Sequence, residues 1–250
     1  YAVKALLARA YAWGHDDKNA LIVAEEILRE VQVEDAEIFP FVEHSAAVDP
    51  SVPDRMFSSE VMFSLYDSYR GTGIQDKLFI PTVDQIYTFS VRRLEMGREY
   101  SFYASENDYR YAIWAKYSNA GTEINYHRKY EDVSGGKAGK FNKMVPLIRL
   151  SEAYLIAAEC AATPEEALEY LVAIREHRNC HMPIMATSSD EVRELVTREF
   201  AREVIGEGQL FFYYKRLNLT TFLSGSEIGG TYEMLTDNYK WPLPDVEVDK

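Results

Sequence analysis

A helical hairpin is written twice in this chain, and that repetition limits the folds open to it more than any other feature. Near the start, Val3, Leu6, Leu7, Ala10 and Trp13 recur at i, i+3, i+4, i+7 and i+10, which predicts one buried helix face. Gly14 ends this helix, Asp16 or Asp17 caps the next, and Ala20, Ala24, Ile27, Leu28 and Val31 form its inner stripe. Far downstream, Leu147, Leu150, Tyr154, Ala157, Ala158 and Ala161 stripe another helix. Thr163-Pro-Glu-Glu166 opens its partner with a hydroxyl cap, a proline at the first helical position and a capping-box glutamate. Leu6-Leu-Ala-Arg-Ala-Tyr11 parallels Leu155-Ile-Ala-Ala-Glu-Cys160, and Ala20-Leu21 with Ile27 parallels Ala167-Leu168 with Ile174. A third pair starts at Ser188-Ser-Asp-Glu191, is broken by Gly206 and Gly208, and resumes over Gln209 to Leu217. Such units bury their faces only against one another, so the expected fold is mainly α, with tetratricopeptide-like helical-hairpin repeats.

Residues 32–145 leave that rhythm and divide the chain into hairpin 1–31, an excursion 32–145, and further hairpins with a Trp-Pro tail over 146–250. The excursion holds ten of the 18 tyrosines together with Trp114, and Pro40, Pro50, Pro53 and Pro81 punctuate its first half, which predicts irregular structure and short strands. Tyr109 to Tyr117 alternates as a strand, with Tyr109, Tyr111, Ile113 and Tyr117 on one face and Arg110, Trp114 and Lys116 on the other. A turn near Asn119-Ala-Gly121 returns the chain along Glu123 to Tyr130. Val133 to Lys140 reads as a flexible surface loop.

Charge narrows the partners. Lys and Arg number 27 against 40 Asp and Glu, a net charge of −13, so the phosphate-neutralising surface of a nucleic-acid binder is missing. No apolar run approaches the roughly 20 residues that cross a bilayer. The first residues already read as helix, without a basic or apolar leader, so a preceding segment is expected to be absent from this sequence. Cys160 and Cys180 fall a helix length apart and are expected as two thiols without a bridge.

Catalytic and cofactor signatures fail on inspection, and no cofactor or metal is expected. The run Gly135-Gly-Lys-Ala-Gly-Lys140 lacks the first glycine of a phosphate loop, where Ser134 stands, and has Phe141 in place of the magnesium-binding hydroxyl. His177, Cys180 and His181 lie close together, but Asn179 and Pro183 mark a helix end and supply no third and fourth ligand. The many carboxylates, such as Glu25, Glu26, Glu165, Glu166 and Glu169, sit on predicted solvent faces, and nothing singles out a glycosidase pair. The aromatic surplus says more. A tyrosine offers a flat apolar face and a hydroxyl, the combination that stacks on a sugar ring and bonds its alcohols. Tyr66, Tyr69, Arg70, Tyr87, Tyr103 and Trp114 are the candidate ligand-binding residues, Trp114 because its predicted strand face is polar.

Several longer segments resemble one family. Val145-Pro-Leu-Ile-Arg-Leu-Ser-Glu-Ala-Tyr-Leu-Ile-Ala-Ala-Glu159 is similar to the hallmark helix of the SusD/RagB family of Bacteroidetes nutrient-binding lipoproteins, followed by an Ala-Leu helix ending in Arg175-Glu-His-Arg178. Glu199-Phe-Ala-Arg-Glu-Val-Ile-Gly-Glu-Gly-Gln-Leu-Phe-Phe-Tyr-Tyr-Lys-Arg216 resembles its C-terminal segment, and Trp241-Pro-Leu-Pro244 its closing Trp-Pro-Ile-Pro. Asp54 to Phe63 and Asp108-Tyr-Arg110 resemble its strand motifs. The chain departs at Leu210 and Tyr213-Tyr214, where many members carry Gln-Arg and Asp-Leu, and it has about half the family's usual length.

The resemblance implies a non-catalytic surface protein that binds glycan nutrients and docks on a TonB-dependent, SusC-like outer-membrane transporter, held to the membrane only by a lipid anchor on a segment not in this sequence. It also implies that Arg149, Glu152, Glu159, Glu199 and Arg216 pair or cap within the helical stack instead of touching ligand. Two other classes stay open at this point. A tetratricopeptide adaptor or peptide-binding relative would need a groove matched to a peptide, and a glycosidase would release reducing ends from oligosaccharide.

Overall fold

A computed structural model describes residues 1–32, 38–79, 90–91, 107–119, 122–133, 135, 138–223 and 231–240. The helices are α1 (Ala2–Trp13), α2 (Asp17–Val31), a short α3 (His44–Ala47), α4 (Leu150–Cys160), α5 (Pro164–His177), α6 (Ser189–Val204) and α7 (Leu210–Leu217). Between α3 and α4 lie β1 (Val61–Tyr66), a π-type helix over Gly71–Phe79, β2 (Ser90–Val91), β3 (Trp114–Asn119), β4 (Thr122–His127) and β5 (Met144–Arg149). After α7 come β6 (Thr221–Leu223) and β7 (Thr231–Glu233). The architecture is mainly α, helical hairpins with a partly β insertion.

Local chemistry sets the helix starts. Asp16 accepts the Asn19 N–H and caps α2. Thr163 and Ser188 do the same for α5 and α6 through the Glu166 and Glu191 N–H groups, and Pro164 fills the first position of α5. The main core gathers α1, α2, α4, α5, α6 and Tyr213 of α7 around α4, which is buried from Leu150 through Ala158. Ala5, Ala8, Ala20, Ala24, Ala157 and Ala158 meet there, and side chains this small let the helix axes come close.

The expected stripe of α1 is inverted. Ala5, Ala8 and Ala12 face the core, while Val3, Leu6, Leu7 and Trp13 are exposed, from 40% for Trp13 to 80% for Val3. The alanine face wins because the close crossing has no room for leucine. The stripe of α2 lies inward as its spacing predicts.

Strand expectations shift as well. Tyr111–Ile113 forms a 3-10 turn, so the strand begins at Trp114, and β3 pairs with β4 from Trp114↔His127 to Asn119↔Thr122. Asp54 does not lie in a strand: its carboxylate accepts the Ser58 N–H at 2.9 Å and the Ser58 hydroxyl at 2.7 Å. Asp108 and Arg110 form an ion pair at a turn. Asn218, in the left-handed conformation, terminates α7. Both cysteines are unbridged, Cys180 is buried, and burial pushes the Cys160 thiol up to about 12.

A buried ion network fastens the insertion to the helices. Arg178, just past α5, donates to Glu60 at 2.6 and 2.8 Å and to Glu203 of α6 at 2.9 Å. Arg149 reaches Glu203 at 2.8 Å and Glu207 at 3.0 Å, and Lys129 meets Glu207 at 2.5 Å. Arg110 grips Asp108 bidentately and reaches Glu199 and Glu203 at 2.6 and 2.8 Å. Arg175 and Arg202 close on Glu199. Phe57 lies under the Arg178 guanidinium at 4.3 Å. Arg149, Glu152, Glu159, Glu199 and Arg216 all pair inside the frame, the second with Arg9 and the third with Arg216.

These charges tie folding to pH. Burial alone would raise Glu199, but the guanidiniums of Arg110, Arg202 and Arg175 outweigh it and hold the carboxyl at about 2. Glu203 is likewise held well below the usual carboxylate range, against burial, by Arg178, Arg149 and Arg110. Burial, then Lys129 and Arg55, keep the His127 imidazole well below its ordinary value of 6.5. All three groups bind protons more readily when unfolded, so their contribution is complete above the unfolded values and shrinks as pH falls. These three groups should therefore make the melting temperature decline below about pH 6.5 and fall more steeply below about 4.5. Thermal melts across pH check this, and a constant midpoint from neutrality to about pH 3 would contradict it.

Candidate functional site

The candidate site is the turn between β1 and the π-type helix. β1 pairs antiparallel with β5 and ends at Tyr66↔Met144. The Asp67 N–H then donates to the Lys143 carbonyl at 2.8 Å, while the Asp67 carboxylate accepts the Tyr69 N–H at 2.8 Å in an Asx turn. The Gly73 N–H closes onto the Tyr69 carbonyl at 2.7 Å. These bonds hold the backbone of Tyr69 and of Asp67, the neighbour of Tyr66, so the rings stand out from a defined backbone. Tyr66 is 80% and Tyr69 75% exposed, and Leu65 and Phe63 of β1 are exposed as well.

Arg70 lies beneath this turn, not on it. The residue is fully buried; its Nη2 donates to Asp132 at 2.5 Å, its Nη1 approaches the Met56 sulfur at 3.1 Å and the Met144 carbonyl at 3.4 Å, and Tyr130 lies 5.4 Å from the guanidinium. As a direct ligand contact Arg70 is withdrawn, since its charge is engaged by Asp132 and its atoms are shut from solvent. Trp114 is withdrawn on the same ground. It is 8% exposed and packs edge-on against His127 at 4.7 Å. Arg110 is consumed by the network. Asn107 is exposed, and its carbonyl accepts the Asn179 side-chain amide at 3.0 Å. Tyr87 and Tyr103 lie outside the described residues, as does Trp241-Pro-Leu-Pro244.

The structure thus exposes Tyr66 and Tyr69 on one short turn and buries Arg70 and Trp114. It adds Lys143 and Asp132, which the sequence reading missed; the cue was that Lys143 directly precedes the apolar strand Met144–Arg149, the pairing partner of β1. A cleft of about 350 Å³ lies elsewhere, between α6, α7 and the β6–β7 hairpin, lined by Tyr214, Leu219 and Phe222 among others. The tyrosine turn is open surface, which suits stacking on flat rings without an enclosed pocket. Among the described residues no group of three or more His, Cys, Asp or Glu side chains is placed to hold a metal, and no helix is long and apolar enough to cross a membrane.

Comparison with known proteins places this fold. The model of the SusD family matches residues 54–249, and the chain belongs to that family. Among solved structures it is similar to a SusD superfamily protein from Bacteroides vulgatus, at 22% identity and a TM-score of 0.65, covering 94% of this chain and 52% of that one. It is also similar to a SusD-like carbohydrate binding protein from Bacteroides vulgatus, at 17% identity and a TM-score of 0.62, covering 88% and 45%. Surface glycan-binding protein A from Bacteroides thetaiotaomicron, in complex with laminarihexaose, matches at 18% identity and a TM-score of 0.65, covering 99% and 61%. The chain therefore spans about half the length of the first of these structures. No curated protein matches the sequence significantly.

Proposed function

We propose that this chain belongs to a non-catalytic cell-surface receptor that holds glycan on the Tyr66–Tyr69 turn and delivers it to a TonB-dependent outer-membrane transporter. The single observation that carries the reading is the pair of highly exposed tyrosine rings on a hydrogen-bonded turn, in a chain of the SusD family. The carbohydrate-binding and laminarihexaose-bound proteins of the same fold support glycan as the ligand class. Outer-membrane location, through a lipid anchor on a preceding segment, and the SusC-like partner extend the family reading to the whole protein.

Native gels cast with a panel of neutral and acidic polysaccharides test the proposal. At least one polymer should retard the protein, with affinity in the micromolar range or weaker for so open a surface, and no reducing ends should appear. Released reducing ends would make it a hydrolase. Peptide binding with no polysaccharide retained would make it a peptide receptor. Co-purification with a transporter encoded beside its gene tests delivery.

A further inference from the structure

We infer that Lys143 makes the tyrosine turn selective for glycans carrying an anionic substituent, a carboxylate or a sulfate ester; this rests on the glycan reading of the turn. Lys143 belongs to the turn through its main chain, since its carbonyl holds the Asp67 N–H one position beyond the Tyr66↔Met144 pair. Its ammonium lies against Gly71: a β-carbon there would sit 3.9 Å from Lys143 Nζ and 4.0 Å from Gln75 Oε1. A cationic donor and an amide oxygen thus converge beside the residue that follows Arg70.

The side chain is half-buried and makes no hydrogen bond or ion pair among the described residues. Its neighbours differ. Arg70 is paired with Asp132 at 2.5 Å, and Asp67 accepts the Tyr69 N–H, so both nearby carboxylates are engaged by protein donors. Of Arg70, Lys143, Asp67 and Asp132, only the Lys143 ammonium has no partner among the described residues. The net charge of −13 repels anions from afar, yet at physiological salt charges farther than about 8 Å are largely screened, so the local arrangement governs selection. A neutral sugar can use the ring faces alone. An anionic group adds a charge-assisted hydrogen bond, roughly twice as strong as a neutral one.

Isothermal titration with polygalacturonate, its carboxyl-reduced counterpart, dextran sulfate and dextran tests this. The protein should hold at least one acidic polymer about fivefold more tightly than its neutral match. Lys143→Ala should abolish that preference, bringing acidic and neutral polymers to one affinity without lowering the melting temperature, and Lys143→Arg should keep it. Which acidic polymer is preferred separates carboxylate from sulfate. Equal binding of acidic and neutral partners, retention of the preference by Lys143→Ala, or no binding of either acidic polymer overturns the inference. The glycan reading itself is decided separately, by the wider polysaccharide panel and the reducing-end assay.

Discussion

Glu203→Ala is expected to destabilise the protein by about 3–5 kcal/mol, the usual cost of removing one partner from a buried ion pair. Glu203 sits between three guanidiniums, taking 2.8 Å contacts from Arg110 and Arg149 and 2.9 Å contacts from Arg178. Its removal leaves buried positive charge that neither Glu60 nor Glu207 can reach in full. For a chain of this size, about 2–4 °C of melting temperature goes with each kcal/mol, so the midpoint should drop by roughly 10 °C. The exposed i,i+4 pair of Glu194 with Arg198 supplies the control, and Glu194→Ala should cost about 0.5 kcal/mol or less. Urea melts of the two variants compare them directly. A loss below about 1 kcal/mol for Glu203→Ala would show that the network is dispensable for stability. Limited proteolysis gives a second readout, because the insertion loses its fastening first and should be cut before the helices.

The second large effect concerns binding. Removing both rings, as Tyr66→Ala with Tyr69→Ala, should weaken glycan affinity about a hundredfold, taking about 1.4 kcal/mol per stacked ring. Either single change should cost about tenfold. Stability should barely move, because these side chains are 80% and 75% exposed and bury little area on folding. Affinity gels with the best polymer from the panel report the change, with circular dichroism as the check on fold. If the double variant binds like the parent, the site lies elsewhere. Trp114→Ala separates the two kinds of residue: it should lower the melting temperature by opening a cavity beside His127, with any loss of binding following from that damage.

How much of this was legible in the sequence depends on which physical effect decided each element. The caps at Asp16, Thr163 and Ser188 are local, and their side chains make the bonds that their spacing announces. The α2 stripe was legible because one face is apolar and the other charged. Helix α1 was misleading because both of its faces are apolar, and the choice between them was made by helix spacing at a crossing with residues far away in sequence. Trp114 and Arg70 were misplaced for a related reason. Alternation predicts burial only once the strand boundary is known, and the 3-10 turn over Tyr111–Ile113 moved that boundary. Arg70 looked like a surface donor because charged residues are seldom fully buried; Asp132 and the Tyr130 ring make its burial possible, and neither is near it in sequence.

The burial of Arg70 next in sequence to the exposed Tyr69 has a consequence for how such a surface could vary. The load of holding the loop falls on a salt link and a strand pairing, so the two exposed tyrosine side chains carry almost none of the folding energy. On the proposed reading, exchanging those outer side chains would change which sugar the turn takes without reopening the question of whether the polypeptide folds.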